Sequence, residues 1–206
     1  MQNATAIRPP ERPAFVSHVQ WSGSNVMLSP PECEWVIQRG EALNPAQAPV
    51  GTPTQMRIEP ETRCVFSANL DTPECGWLYE RLAQKINLAN REYYDFDLVG
   101  LVEPIQFLKY TTAAGQLPNG HYSWHVDFGE GMMATRKLSV VVQLSPPESY
   151  DGCDFGMMSD RGLARMDYKG QGDAFMFPSW TPHNVGQITR GVRYALVAWV
   201  HGPRFR

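Results

Sequence analysis

The chain has little of what marks many protein classes. Its four cysteines, Cys33, Cys64, Cys75 and Cys153, lie far apart and form no C-x-x-C pair. They read as reduced thiols of a cytoplasmic protein, which argues against a zinc cage or a disulfide scaffold. No apolar run approaches the roughly 20 residues of a membrane helix, so no membrane partner is expected. The opening stretch, Met1–Ala14, is polar and proline-rich and lacks the apolar segment of a secretory signal. Charge of one sign is scarce too: 18 basic and 21 acidic residues leave a net charge of −3. A nucleic-acid binder would carry a basic face, so nucleic acid is not an expected partner. Histidine is sparse as well, with five in the chain.

Turn-forming residues, by contrast, are abundant: 17 glycines and 17 prolines among 206 residues, 43% of them hydrophobic. That length suits one domain, expected to span 1–206. Two helices are expected first. One runs from Pro30 to about Leu43, with Ser29 as cap, Pro30 and Pro31 in the first turn, and Glu32 and Glu34 facing the positive dipole end. The other runs from Pro73 to about Asn90, where Leu78, Leu82, Ile86 and Ala89 recur at helical spacing. From Asp97 onward strand-length runs take over: Leu98–Val102, Ile105–Tyr110, Leu138–Leu144, Ala174–Phe177 and Val192–Val200. The expected fold is α+β and mainly β, a β-sandwich or barrel core at 97–206 supported by helices and strands in 1–96.

The chemistry concentrates around Tyr122-Ser-Trp-His125-Val-Asp127. In a regular strand, residues two apart share a face, so His125 and Asp127 can reach one metal ion. On its own the pair reads first as a structural hydrogen bond. His121 shares the same parity and is a rival ligand, while His18 and His201 have no matching partner. His183, in Pro178-Ser-Trp-Thr-Pro-His183, follows a strand-rich segment that can return it to the same cavity. Two histidines and a carboxylate form the facial triad of non-haem iron oxygenases, with open metal positions. Zinc more often has a closed set of four ligands, or three plus water.

Arg193 separates these readings. In the last strand Arg193, Ala195, Val197 and Trp199 share one face. A turn at Thr189–Gly191 would pair His183 with Val197, placing His183 and Arg193 on one side about 13 Å apart. A five-carbon diacid on the metal spans that gap. An inward arginine on an apolar strand needs an anion, either a core acid or the far carboxylate of such a ligand. Arg190 falls in the turn and is expected in solvent; Arg136 and Lys137 are expected as rim charges.

The run Tyr110…Tyr122-x-x-His125-x-Asp127…His183…Arg193-Tyr-Ala-Leu-Val-Ala-Trp199 resembles the Fe(II)- and 2-oxoglutarate-dependent dioxygenases of the prolyl 4-hydroxylase type. Ser149-Tyr-Asp-Gly152, Gly172-Asp173 and Phe177-Pro178-Ser179 match as well, and Leu28-Ser-Pro-Pro-Glu-Cys33 is similar to the first-helix start of bacterial members. The resemblance implies a double-stranded β-helix, or jelly roll, and assigns Fe(II) to His125, Asp127 and His183. It gives the distal carboxylate of 2-oxoglutarate to Arg193, with Tyr110 and Gln143 as further cosubstrate contacts and ascorbate as an optional reductant. Trp124, Phe128 and Trp180 are the expected substrate-mouth residues; as an alternative reading, the tryptophans simply close the barrel. The implied reaction hydroxylates an unactivated C–H of a prolyl or other amino-acid side chain, in a protein, peptide or small molecule, releasing succinate and CO2. Two other readings stand beside it: a non-catalytic jelly-roll module binding a metal or small acid, and a zinc hydrolase, which leaves Arg193 unexplained.

Overall fold

A computed structural model of the chain describes residues 16–51, 54–159, 162–166 and 168–205. The proline-rich opening read above, Met1–Ala14, lies outside the described residues. In chain order the elements are β1 (Val19–Trp21), α1 (Pro30–Ala42), β2 (Ala46–Gln47), β3 (Arg63–Cys64), β4 (Phe66–Asn69), α2 (Gly76–Ala89) and β5 (Gln106–Thr111). There follow β6 (His121–His125), β7 (Arg136–Gln143), β8 (Tyr150–Gly152), β9 (Phe155–Ser159), β10 (Gly162–Met166), β11 (Ala174–Pro178), β12 (His183–Val185) and β13 (Ile188–His201). They form a larger sheet in the order β1-β11-β7-β13-β5-β4-β2, with β8 beside β13, and a smaller sheet in the order β10-β9-β12-β6-β3. The two sheets make a jelly roll, and the helices cover the outer face of the larger one.

Local sequence explains both helices. The Glu32 carboxylate accepts the backbone N–H of Ser29 at 2.7 Å, closing a capping box just before Pro30 and Pro31. Leu78, Leu82, Ile86 and Ala89 are the buried positions of α2. They pack with Leu138, Val140 and Val142 of β7 and Leu196, Ala198 and Val200 of β13 in one apolar cluster. Full burial of each large aliphatic side chain contributes about 1.5–3 kcal/mol. Arg81 of α2 donates to Glu32 of α1 at 2.9 Å, tying the two helices together. A second cluster, including Leu108, Val141, Phe155, Met157, Phe175 and Phe177, fills the space between the sheets. β7 is therefore covered on both faces, and all eight of its side chains are buried.

Three expectations change. A single-turn 3-10 helix, Pro73–Cys75, precedes α2, and five π-helical residues, Asn90–Tyr94, extend it. Leu98–Val102 is not a strand; it makes only a bridge between Gly100 and His201. The stretch Thr189–Gly191 is no turn but part of the long strand β13, whose start pairs with β8 and whose later residues pair with β5 and β7. Gly191 allows this. Its φ of +74° is left-handed, and a Cβ there would lie 2.1 Å from the Ser149 carbonyl oxygen. The ladder shifts register beside it, so the strand bends past β8 instead of reversing.

Candidate active site

With no hairpin at Arg190, His183 does not pair with Val197. It lies opposite His125 of β6 and Met157 of β9 in the smaller sheet, while Arg193 lies opposite Tyr110 in the larger one. The two sheets thus bring the predicted residues together from opposite walls.

A bulge in β6 chooses between the histidines. His183 pairs with His125 and Val185 pairs with Tyr122, so β6 spends one residue more than β12 over this interval. Tyr122 and His125 therefore both line the cavity, although strict alternation would separate them. His121 falls on the other side, with its ring nitrogens on the Asn119 and Glu61 carbonyl oxygens at 2.8 and 3.0 Å. It has no nitrogen left for a metal, and the rivalry expected from parity is removed.

His125, Asp127 and His183 offer one ligand atom each, all within 4.8 Å of one another. Nε2 of His125 is 3.7 Å from Asp127 Oδ1, and Nε2 of His183 is 3.6 Å from Oδ2. Nδ1 of His125 meets the Ser123 carbonyl at 2.8 Å, and Nδ1 of His183 meets that of Thr181 at 2.9 Å. A carbonyl only accepts, so each Nδ1 carries the proton and each Nε2 presents its lone pair inward. Ser139 donates to Asp127 Oδ2 at 2.6 Å and orients that carboxylate. Burial, then the neighbouring His183, presses His125 down to about 4, so its ring is neutral near pH 7. Burial raises the Asp127 carboxyl, but both histidines, Ser139 and Arg136 outweigh it and hold it below the usual range. Two imidazoles with Nε2 facing inward and one ionised carboxylate are a donor set that fits Fe(II).

The cavity enclosing these atoms has a volume of about 470 Å³ including its mouth. Arg193, Ala195, Val197 and Trp199 all line it, the face expected of β13. Arg193 is 2% exposed, and its guanidinium stands 5.0 Å above the Tyr110 ring. Burial pushes the Tyr110 phenol up, so the hydroxyl stays neutral. Gln143 does not line the cavity; it accepts two hydrogen bonds from Arg193. No carboxylate among the described residues pairs with Arg193.

Other expected residues lie elsewhere. Trp124 is 49% exposed on β6, and Phe128 and Trp180 both pack on Phe205, with centroids 5.8 and 5.2 Å away. None of the three is among the side chains lining the cavity. Arg136 and Lys137 are not rim charges, because β7 is buried on both faces. Arg136 pairs with Glu103 at 2.7 Å and lies over the Trp199 ring, and Lys137 lies over Phe205. His201 is buried, between Thr135 and Glu103. Arg190 is exposed as expected and pairs with Asp151. Sequence reasoning missed Arg63 and Gln106, which also line the cavity. Both come from stretches with no motif, and only strand pairing brings them in.

A jelly roll with two histidines, a carboxylate and a buried arginine in one cavity has the architecture of a non-haem iron oxygenase. The family model described as the 2OG-Fe(II) oxygenase superfamily matches residues 105–201. This stretch, just under half of the chain, holds the triad and Arg193, and over it the chain is similar to that superfamily. A PKHD-type hydroxylase of Gluconobacter oxydans is 27% identical over 84% of this chain and 74% of its own length. The PKHD-type hydroxylase YbiX of Escherichia coli is 38% identical over 40% of this chain, but the match spans only 38% of that relative. Among solved structures, a Pseudomonas putida prolyl-4-hydroxylase superposes with a TM-score of 0.69 at 17% identity, covering 91% of this chain and 93% of its own. A Trichoplax adhaerens prolyl hydroxylase, bound to a hypoxia inducible factor peptide fragment, gives 0.66 at 14% identity, covering 90% and 83%.

Proposed function

We propose that the chain, acting as a single domain over 1–206, hydroxylates an unactivated C–H of a prolyl or other amino-acid side chain. The observation that carries this reading is the buried Arg193, without a carboxylate partner among the described residues, in the same cavity as His125, Asp127 and His183. A guanidinium desolvated without an anion is costly, so the site is built for an acid that arrives from solution. His125, Asp127 and His183 would hold Fe(II), and Arg193 would grip the distal carboxylate of 2-oxoglutarate as a planar fork. When bound, metal and cosubstrate supply the oxygen activation, with 2-oxoglutarate and O2 consumed and hydroxylated product, succinate and CO2 released. The protein's residues do the positioning. Backbone carbonyls fix both imidazoles, Ser139 fixes Asp127, and Gln143 aims Arg193. The aromatic walls at Tyr122, Phe155 and Trp199 exclude water. Since a prolyl hydroxylase of like fold holds a peptide fragment, peptides belong among the substrates to try, beside small molecules.

Anaerobic titration of the chain with Fe(II) and 2-oxoglutarate tests the reading. A weak visible charge-transfer band requiring both additions is expected. Iron binding without any such band would overturn the cosubstrate role of Arg193. A non-catalytic module would show the band but form no succinate in air with any substrate.

A further inference from the structure

The cavity holds a second guanidinium. Arg63, on β3 of the smaller sheet, lies opposite Tyr122 and lines the cavity with the triad and Arg193. Its guanidinium carbon stands 4.8 Å over the Tyr122 ring, which itself stacks on His125 with centroids 3.5 Å apart. One of its nitrogens, Nη1, donates to the Pro49 carbonyl at 3.0 Å. Nε is buried and has no hydrogen-bond partner. No carboxylate among the described residues pairs with it.

The charges around the cavity show what this arginine lacks. With Fe(II) on the triad and 2-oxoglutarate on Arg193, the metal, Asp127, Arg193 and the dianionic cosubstrate cancel. Arg136 is already neutralised by Glu103. Tyr110 and Tyr122 are pushed up by burial and stay uncharged. Arg63 is the cation left over, facing a partly dry space where an unpaired charge is expensive. On the opposite wall Gln106 of β5 also lines the cavity, and its Oε1 is buried without a hydrogen-bond donor. The space therefore lacks one anion beside Arg63 and one N–H beside Gln106.

We infer that Arg63 is a specificity-determining residue that binds a carboxylate of the substrate to be hydroxylated, and that this substrate is a free amino acid or the C-terminal residue of a peptide. An amino acid offers both missing groups, a carboxylate for the guanidinium and an N–H for Gln106. The inference rests on the function proposed above and narrows its substrate class.

The test titrates the anaerobic chain, loaded with Fe(II) and 2-oxoglutarate, with the common L-amino acids, with their N-acetyl forms as stand-ins for a peptide C-terminus, and with the carboxamides of both. Binding of the free acids assigns a free amino acid, and binding of the N-acetyl acids alone assigns a peptide C-terminus. Binding is read as a shift of the visible band, without turnover. At least one acid is expected to shift the band and to bind about tenfold or more tightly than its amide. Arg63→Gln is expected to abolish that preference while leaving 2-oxoglutarate affinity within about twofold. The comparison of acids with amides on the unaltered chain stands even if the variant folds poorly. Equal binding of acids and amides, or no acid binding at all, would overturn the inference. A loss of 2-oxoglutarate affinity in Arg63→Gln as large as the loss of acid affinity would overturn it too, assigning Arg63 to the cosubstrate. Absence of the band before any amino acid is added is a different failure, that of the proposed function itself.

Discussion

Arg193 donates from Nε and Nη2 to a single oxygen, Gln143 Oε1, at 3.0 and 2.5 Å. The same carboxamide donates from Nε2 to the Tyr150 hydroxyl at 2.8 Å, which fixes the direction of its oxygen. A neutral acceptor aims the guanidinium without neutralising it. An acid in that place would orient Arg193 equally well but would compete with any incoming carboxylate. Gln143, expected as a direct cosubstrate contact, stands behind Arg193 and outside the cavity lining.

Arg193→Ala is expected to weaken 2-oxoglutarate binding by roughly 2–5 kcal/mol, the usual cost of truncating one partner of a buried charge pair. Gln143→Leu should weaken it by less, about 1.5–3 kcal/mol, because it removes only bonds that hold the fork. Calorimetric titration with 2-oxoglutarate, run beside a metal titration, checks both. Loss of metal and cosubstrate binding to the same extent would show that Arg193 has another role.

Asp127→Ala and His183→Ala are expected to abolish succinate formation. Ser139→Ala should leave the ligands in place but loosen the carboxylate, lowering metal affinity about 10–100-fold. A metal-competition assay with a chromophoric chelator reads that change. Unchanged affinity in Ser139→Ala would mean that Asp127 is held by its backbone alone.

Gly191→Ala combines a left-handed φ with a Cβ against the Ser149 carbonyl. It is expected to destabilise the chain by more than about 2 kcal/mol. Urea unfolding measures the loss. A change below about 0.5 kcal/mol would show that β13 passes β8 by another path.

The buried histidine predicts an acid-sensitive metal-free chain. His125 lies at about 4 when folded, against an ordinary value of 6.5. Between those values the unfolded chain binds the extra proton, so stability rises with pH across the window and falls as acid is added. Thermal unfolding of the metal-free chain should show that slope, and His125→Gln should flatten it. An identical slope in the variant would place the titration on other groups, such as His18 or His201, which burial also depresses.

What the sequence determined by itself was local. The capping box at Ser29, the one-sided spacing of Leu78, Leu82 and Ile86, and the shared face of Arg193 and Trp199 depend on residues a few positions apart, and near neighbours in the chain fix them. The His125-x-Asp127 pair, His183 and Arg193 were legible through their joint spacing and its resemblance to a known family. Pairing was decided only in three dimensions. Whether Gly191 reverses the chain or lets β13 run on depends on β8 being there to receive it. The choice of His125 over His121 rests on one extra residue in β6, which no alternation pattern announces. Arg63 reaches the cavity because β3 pairs with β6, and Gln106 because β5 pairs with β13. Register between distant strands is set by which faces can be buried together, a property of the assembled sheets and not of any short stretch of chain.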